Sequence, residues 1–263
     1  MTELAFVVYG DGVSTLNSLP ATSPNYVGVR IERTRDVLTF TLDNAANGNQ
    51  INAAMFDAML PELLEEAARP RVRVLRIRAL GEVFCTGRER AGHDVESIRR
   101  ESLRLIEFKR ALRASPLISI AEVQGDAYGF GFGLAIVCDF ALVAESAALG
   151  FPEMRFGLAP SAIMAYLGEY ALPRFAFPLV LFGDPISAPL AMQYGLISQV
   201  CAPDRLSHEA DALTQRILRL DAAAVRRCKD FFLTTQQNSF DQNCRLAAET
   251  LTLDSVARLP QGK

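Results

Sequence analysis

Tryptophan is absent from the 263 residues, and the two histidines, His93 and His208, stand 115 positions apart. A metal site built on paired imidazoles would need a chance meeting of the two, so no catalytic metal is expected. The five cysteines, Cys85, Cys138, Cys201, Cys228 and Cys244, are odd in number, at least 16 residues apart and free of any C-x-x-C. That spacing excludes a disulfide framework or a zinc knuckle and fits a reducing, cytoplasmic setting. No apolar run approaches the roughly 18 residues of a membrane helix. The run Leu4 to Tyr9 is too short for a signal-peptide core, and no Lys or Arg precedes Arg30. Neither charge dominates: 27 Lys and Arg against 30 Asp and Glu leave a net charge of −3. Nothing there draws the chain to nucleic acid or to a membrane. Internal repeats and low-complexity stretches are also missing.

What is present is a chain of 50% hydrophobic and 22% charged residues, long enough for one large core. Residues 1–24, with Gly10, Gly12, Pro20 and Pro24, read as an N-terminal arm. From Tyr26 the pattern becomes regular. Val27, Val29 and Ile31 alternate with polar residues, Val37 to Leu42 alternates again after Thr34-Arg35-Asp36, and a hairpin follows. Asn52 to Ala68 switches to helical period, with Met55, Met59, Leu63 and Leu64 on one face, Asn52 as N-cap and Pro70 beyond the end. Arg71 to Leu80 predicts a strand, Val95 to Leu112 a helix and Leu117 to Val123 a strand. Beyond Pro152 the chain reads mostly helical, and from Pro203 as helix only: Leu206 to Leu220, Ala222 to Thr235 and Phe240 to Ala257. The expectation is an α/β core over 25–202 and a helical region over 203–263. The five arginines within 69–78 invite a phosphate-binding reading, but such alternation fits a solvated strand face with snorkelling stems better.

Two segments carry chemistry. Val83-Phe84-Cys85-Thr86-Gly87-Arg88-Glu89 follows one strand, and Gly125 to Ala135, with four glycines in nine residues, follows another. Glycines at that density allow close backbone approach and free N–H groups, which can hold an anion or a developing oxyanion, or simply let helices pack. The spacing is G-x-G-x-G rather than the dinucleotide-binding G-x-G-x-x-G, and no phosphate-loop motif exists.

Four blocks together resemble the enoyl-CoA hydratase/isomerase, or crotonase, family from about Tyr26 to Ala257. They are Leu42-Asp43-Asn44 with Asn49 to Asn52; Phe84 to Glu89; Gly125 to Asp139; and Phe151-Pro152-Glu153 with Gly157 to Pro160. The resemblance implies a crotonase-like spiral of strand-strand-helix units, a C-terminal helical trimerisation region giving a homotrimer or homohexamer, and an acyl-CoA substrate with no separate cofactor. It assigns the oxyanion hole to the backbone N–H groups of Arg88 and Phe130, beside Gly87 and Gly129, with Arg90 or the 69–78 arginines for coenzyme A phosphates.

Departures from the pattern shape the functional expectation. Hydratases of the family use two glutamates; the first position is Gly133 here, and Glu153 alone remains. Phe151, Met154 and Phe156 are expected to crowd Glu153 and raise its pKa. One glutamate beside an oxyanion hole resembles the family's isomerases, so a 3-enoyl-CoA to 2-enoyl-CoA isomerase is favoured. Hydration and carbon-carbon bond formation stay open, as does a non-catalytic trimeric relative. Hydrolysis is less favoured, because Ser161 stands where the family's hydrolases carry aspartate. Gly48 and Glu89 also depart, from a basic residue and an aspartate. His93 with Asp94 reads as loop structure, Glu122, Asp126 and Tyr128 as possible substrate neighbours, Asp139 as a core cap, and Cys85 as a packing residue. Phe130, Phe132, Met164 and Tyr166 are candidates to line the acyl pocket.

Overall fold

The computed structural model describes residues 28–236 and 238–256. The predicted arm over 1–24, together with Val27 and Ala257, lies outside them. β1 (Val29–Thr34) and β2 (Val37–Leu42) form the expected antiparallel hairpin, its turn passing through Arg35 at φ 47°. α1 (Ala53–Ala68) starts at Asn52, whose side chain accepts from the Met55 N–H at 3.0 Å. Met55, Met59 and Leu63 face the core, whereas Leu64, expected with them, is half exposed. β3 (Val74–Ala79), α2 (Val95–Ala114) and β4 (Ile118–Val123) follow. Next come β5 (Ala127–Tyr128), α3 (Phe130–Val137), β6 (Phe140–Ala144) and β7 (Ala148–Gly150). The helical stretch after Pro152 comprises α4 (Ser161–Leu167), α5 (Pro173–Phe182) and α6 (Ala188–Gln193). Two strands interrupt it, β8 (Ile186–Ser187) and β9 (Gln199–Cys201), too short to set up a period in the sequence. α7 (Leu206–Leu218), α8 (Ala222–Thr235) and α9 (Phe240–Val256) complete the chain.

The strands make a six-stranded sheet in the order β1-β2-β3-β4-β6-β9, parallel from β2 onward, and a small sheet β5-β7-β8. This is the spiral of strand and helix units the resemblance implied. One face of the main sheet buries Leu75, Ile77, Ala121 and Val143 with α1, α2 and α3. The other places Val74, Ile120 and Leu142 under Leu206, Ala210 and Ile217 of α7. Burying a side chain the size of Leu206 or Ile217 contributes about 1.5–3 kcal/mol, enough to seat α7 on the sheet.

α8 holds to the core by a different interaction. Its one buried residue is Lys229, whose ammonium donates to the Leu117 carbonyl and to Asp139 Oδ2, both at 2.7 Å. The Ser119 backbone N–H and hydroxyl donate to the same Oδ2, so Asp139 makes the expected pairing, though from the core's margin, where its own side chain is partly exposed and Lys229 is buried. No residue of α9 is buried, and Phe240, Leu251, Leu253 and Val256 are exposed.

Removing one partner of a buried, hydrogen-bonded ion pair strands the other charge, at about 3–5 kcal/mol. Asp139→Ala is therefore expected to lower unfolding free energy in urea by about 3 kcal/mol. A loss under about 1 kcal/mol would show that Lys229 does not depend on the carboxylate.

Candidate active site

The site begins at the ends of β3 and β4, where three loops converge. The first runs from Asp43 to Asn52. Buried Asn49, at φ 53°, donates through Nδ2 to the Leu80 and Val83 carbonyls at 2.8 and 2.9 Å, while its Oδ1 accepts from the Asn44 N–H. This pins the loop against the segment leaving β3.

The second loop, Phe84 to Glu89, lies between the other two. On one side Ile51 N–H donates to the Gly87 carbonyl (3.1 Å) and Glu89 N–H to the Ile51 carbonyl (2.9 Å). Successive amides of an extended segment alternate in direction, so the Arg88 N–H points away from Ile51. It meets no acceptor among the described residues. On the other side Phe84 N–H donates to the Asp126 carbonyl and Tyr128 N–H to the Cys85 carbonyl. The contact with the third loop is backbone on backbone. A Cβ at Gly131 would lie 2.6 Å from Cys85 Cβ and closer still to the Cys85 carbonyl oxygen, and one at Gly125 would run into the Glu82 carbonyl. Only glycine fits either position.

β5 then crosses to β7 in parallel register, Tyr128 opposite Gly150, and Gly129 N–H donates to the Gly150 carbonyl at 2.9 Å. β7 leads directly into Phe151-Pro152-Glu153, so this pairing delivers Glu153 to the start of α3. Phe132 stacks on Phe151, ring centres 5.0 Å apart, and fixes the delivery from the far side. Glu153 Oε1 comes within 2.9 Å of where a Cβ on Gly129 would sit, and that same point lies 3.9 Å from Gly87 Cα. Gly129 itself takes φ 53°, Gly87 φ 136°. Phe130 opens α3, so its N–H has no intrahelical acceptor. Two amides without an acceptor among the described residues, those of Arg88 and Phe130, thus belong to the segments that Gly87 and Gly129 bring beside the Glu153 carboxylate.

Glu153 is half-buried, its Oε2 has no hydrogen-bond partner among the described residues, and burial pushes its carboxyl above the ordinary range. Its own backbone amide, Lys109 and exposed Arg90 pull the other way. The expected apolar crowding needs correction: Phe151 is buried, but Met154 is partly exposed and Phe156 is 75% exposed.

Position 133 is crowded by side-chain ends. A Cβ on Gly133 would lie 2.6 Å from Lys109 Nζ, 2.7 Å from Ile163 Cδ1 and nearer still to Tyr166 Oη. Lys109 is a site residue that the sequence reading missed. It sits in the buried stripe Leu105, Phe108, Lys109, Leu112 of α2, at the i, i+3, i+4, i+7 positions of an apolar face. A lysine on such a face is the signal that could have found it.

Other candidates have structural partners. Arg71 pairs with Glu65 and Glu66, Arg73 donates to carbonyls at the end of α7, Arg76 pairs with Glu122 and Asp211, and Arg78 with Glu32. These four arginines are thus engaged within the chain, and Glu122 with them. Asp126 accepts from the Ala148 N–H and the Tyr128 hydroxyl. Asp94 caps α2, and His93 is exposed. The Cys85 thiol donates to the Gly87 carbonyl at 3.2 Å, and burial pushes it up to about 12, a packing residue. Phe132 is spent on Phe151, and Met164 is half exposed. Phe130 packs edge-on against Phe56.

Comparison with known proteins follows the same contour. The family model for enoyl-CoA hydratase/isomerase matches residues 32–256. The enoyl-CoA hydratase domain-containing protein 3, mitochondrial, of Danio rerio is 28% identical over 231 residues, 84% of this chain and 78% of that protein. A probable enoyl-CoA hydratase of Rhodobacter capsulatus is 29% identical over 232 residues, 85% of this chain and 88% of that one. The crystal structure of an enoyl-CoA hydratase from Mycobacterium smegmatis superposes with a TM-score of 0.82 at 26% identity, covering 86% of this chain and 90% of that chain.

A side chain at position 133 must displace the ends of Lys109, Tyr166 and Ile163. Gly133→Glu should lower the melting temperature by several degrees, since overpacking a full core costs about 1–3 kcal/mol. An unchanged melting temperature would mean that Lys109 and Tyr166 swing aside freely.

Proposed function

The chain belongs to the enoyl-CoA hydratase/isomerase family and so is an acyl-CoA enzyme, and from that premise we propose that it isomerises 3-enoyl-CoA to 2-enoyl-CoA thioesters. The thioester carbonyl takes its place between the Arg88 and Phe130 N–H groups. Glu153 removes a C2 proton, and the enolate oxygen gains charge against two fixed donors, each worth about 3–4 kcal/mol in the transition state. Coenzyme A enters as part of the substrate, with exposed Arg90 to serve its phosphates, and the steps drawn need no metal or separate cofactor. The observation that carries isomerisation over hydration is the glycine at position 133, beside an amine rather than a carboxylate: proton relocation needs no second carboxylate to hold water. Hydration is the second reading, favoured by the names of relatives, among them a 2,3-dehydroadipyl-CoA hydratase of Escherichia coli.

We place the enzyme in a reducing compartment, in keeping with its five unpaired cysteines. No helix among the described residues is long and apolar enough to cross a membrane. Association into a trimer or hexamer through the C-terminal region is supported by the exposed Phe232, Phe240, Leu251 and Leu253 of α8 and α9. Light scattering at micromolar concentration should give three or six times the chain mass; a monomer would remove this part of the proposal.

Glu153→Gln is expected to lower isomerisation of a 3-enoyl-CoA by at least about 10²-fold. The loss should extend to deuterium uptake at C2 in heavy water. Full activity in this variant, or fast conversion of 2-enoyl-CoA to 3-hydroxyacyl-CoA by the wild type, would overturn the assignment.

A further inference from the structure

α2 buries a lysine where an apolar side chain would cost less. Lys109 Nζ donates to Tyr166 Oη, lies 4.9 Å from the centre of the Phe130 ring and 4.6 Å from that of Tyr166, and touches no carboxylate among the described residues. The Tyr166 hydroxyl in turn donates to the Gly133 carbonyl at 3.3 Å, which ties the pair to α3. The amine thus stands against position 133, while Glu153 Oε1 stands against position 129. Gly133 N–H donates to the Gly129 carbonyl at 3.0 Å, so the two positions are about one helical turn apart, four residues or about 6 Å of rise. The carboxylate and the amine flank the turn whose first N–H is that of Phe130.

We propose that Lys109 is a second proton-transfer group of this site, serving the substrate carbon that Glu153 does not, with Tyr166 positioning its amine. The inference rests on the enolate reading above. Glu153 takes the C2 proton, and the C2–H pair becomes the C1=C2 bond of a dienolate with its charge on the thioester oxygen. The Lys109 ammonium then gives a proton to C4: the C3=C4 pair forms the new C4–H bond, the C1=C2 pair moves to C2=C3, and the carbonyl re-forms. Lys109 is left neutral and Glu153 protonated, and transfer of that proton from acid to amine resets the site. Burial supports the role by bringing the Lys109 ammonium down to about 7, against the opposing fields of Glu153 and Cys85. The groups facing this pair are Tyr166 on α4, Cys85 on the second loop and Arg90 beyond Glu153. An amine poised near neutrality gives and takes protons with similar ease.

The test separates the two proton transfers in heavy water. C2 exchange of a saturated acyl-CoA reports enolate formation; isomerisation of a 3-enoyl-CoA reports the complete sequence. Lys109→Met is expected to lower isomerisation by about 10²-fold and exchange by far less, and to remove the limb near pH 7 from the kcat/KM profile. Lys109→Arg, which keeps a charge but cannot release its proton at neutral pH, should lose isomerisation as well. Isomerisation within threefold of wild type in either variant overturns the proposal and leaves the enolate reading standing. Exchange and isomerisation falling in parallel mark a structural role and overturn it too, as does a wild type that exchanges but does not isomerise. A wild type without C2 exchange overturns both readings.

Discussion

The architecture turns on a backbone contact. The loop after β3 and the loop after β4 lie so close that Gly125 and Gly131 have no room for a Cβ, because the Glu82 and Cys85 backbones occupy the space. From that approach the rest follows. The Tyr128 N–H reaches the Cys85 carbonyl, β5 can extend to β7, and β7 carries Glu153 to the start of α3. A methyl group at either glycine would part the loops and move two amides and a carboxylate at once, because all are fixed relative to backbone rather than to flexible side chains. Preorganised donors of this kind need no rearrangement when charge develops on an oxygen between them.

The glycine at position 133 is the second determinant. In a family whose hydratases place a glutamate there, this chain fills the space with Lys109 and Tyr166, approached through Ile163 from α4. A negative charge that could hold water is replaced by an amine that burial inclines to lose its proton. It is this exchange of a carboxylate for an amine on which the proposal of proton relocation over water addition rests.

Where short-range signals decide, the sequence was readable. The β1–β2 hairpin, the Asn52 cap and the glycine-dense loop stand at the expected positions, since alternation, capping and glycine density act over a few residues. β5, β7, β8 and β9 escaped because two or three residues make no period, and their pairing is set by partners elsewhere in the chain. The arginines of 71–78 read as phosphate ligands or solvent-facing stems; in fact they meet acidic and carbonyl partners up to 147 residues away, a pairing that only the fold creates. Glu153 was legible by its motif, but the source of its desolvation was not, since Phe156 lies exposed. Lys109 went unread for a subtler reason: amphipathic helices carry many lysines, and only its place among Leu105, Phe108 and Leu112 distinguishes it.

The central claim is that the Arg88 and Phe130 amides together hold a thioester oxygen. The most direct measurement is the infrared carbonyl band of a 2-enoyl-CoA carrying ¹³C at the thioester carbon, recorded free and bound to the wild-type protein. Two charge-stabilising donors polarise the carbonyl, so the bound band should move to lower frequency. A bound thioester whose carbonyl band stays at its solution frequency would contradict the account.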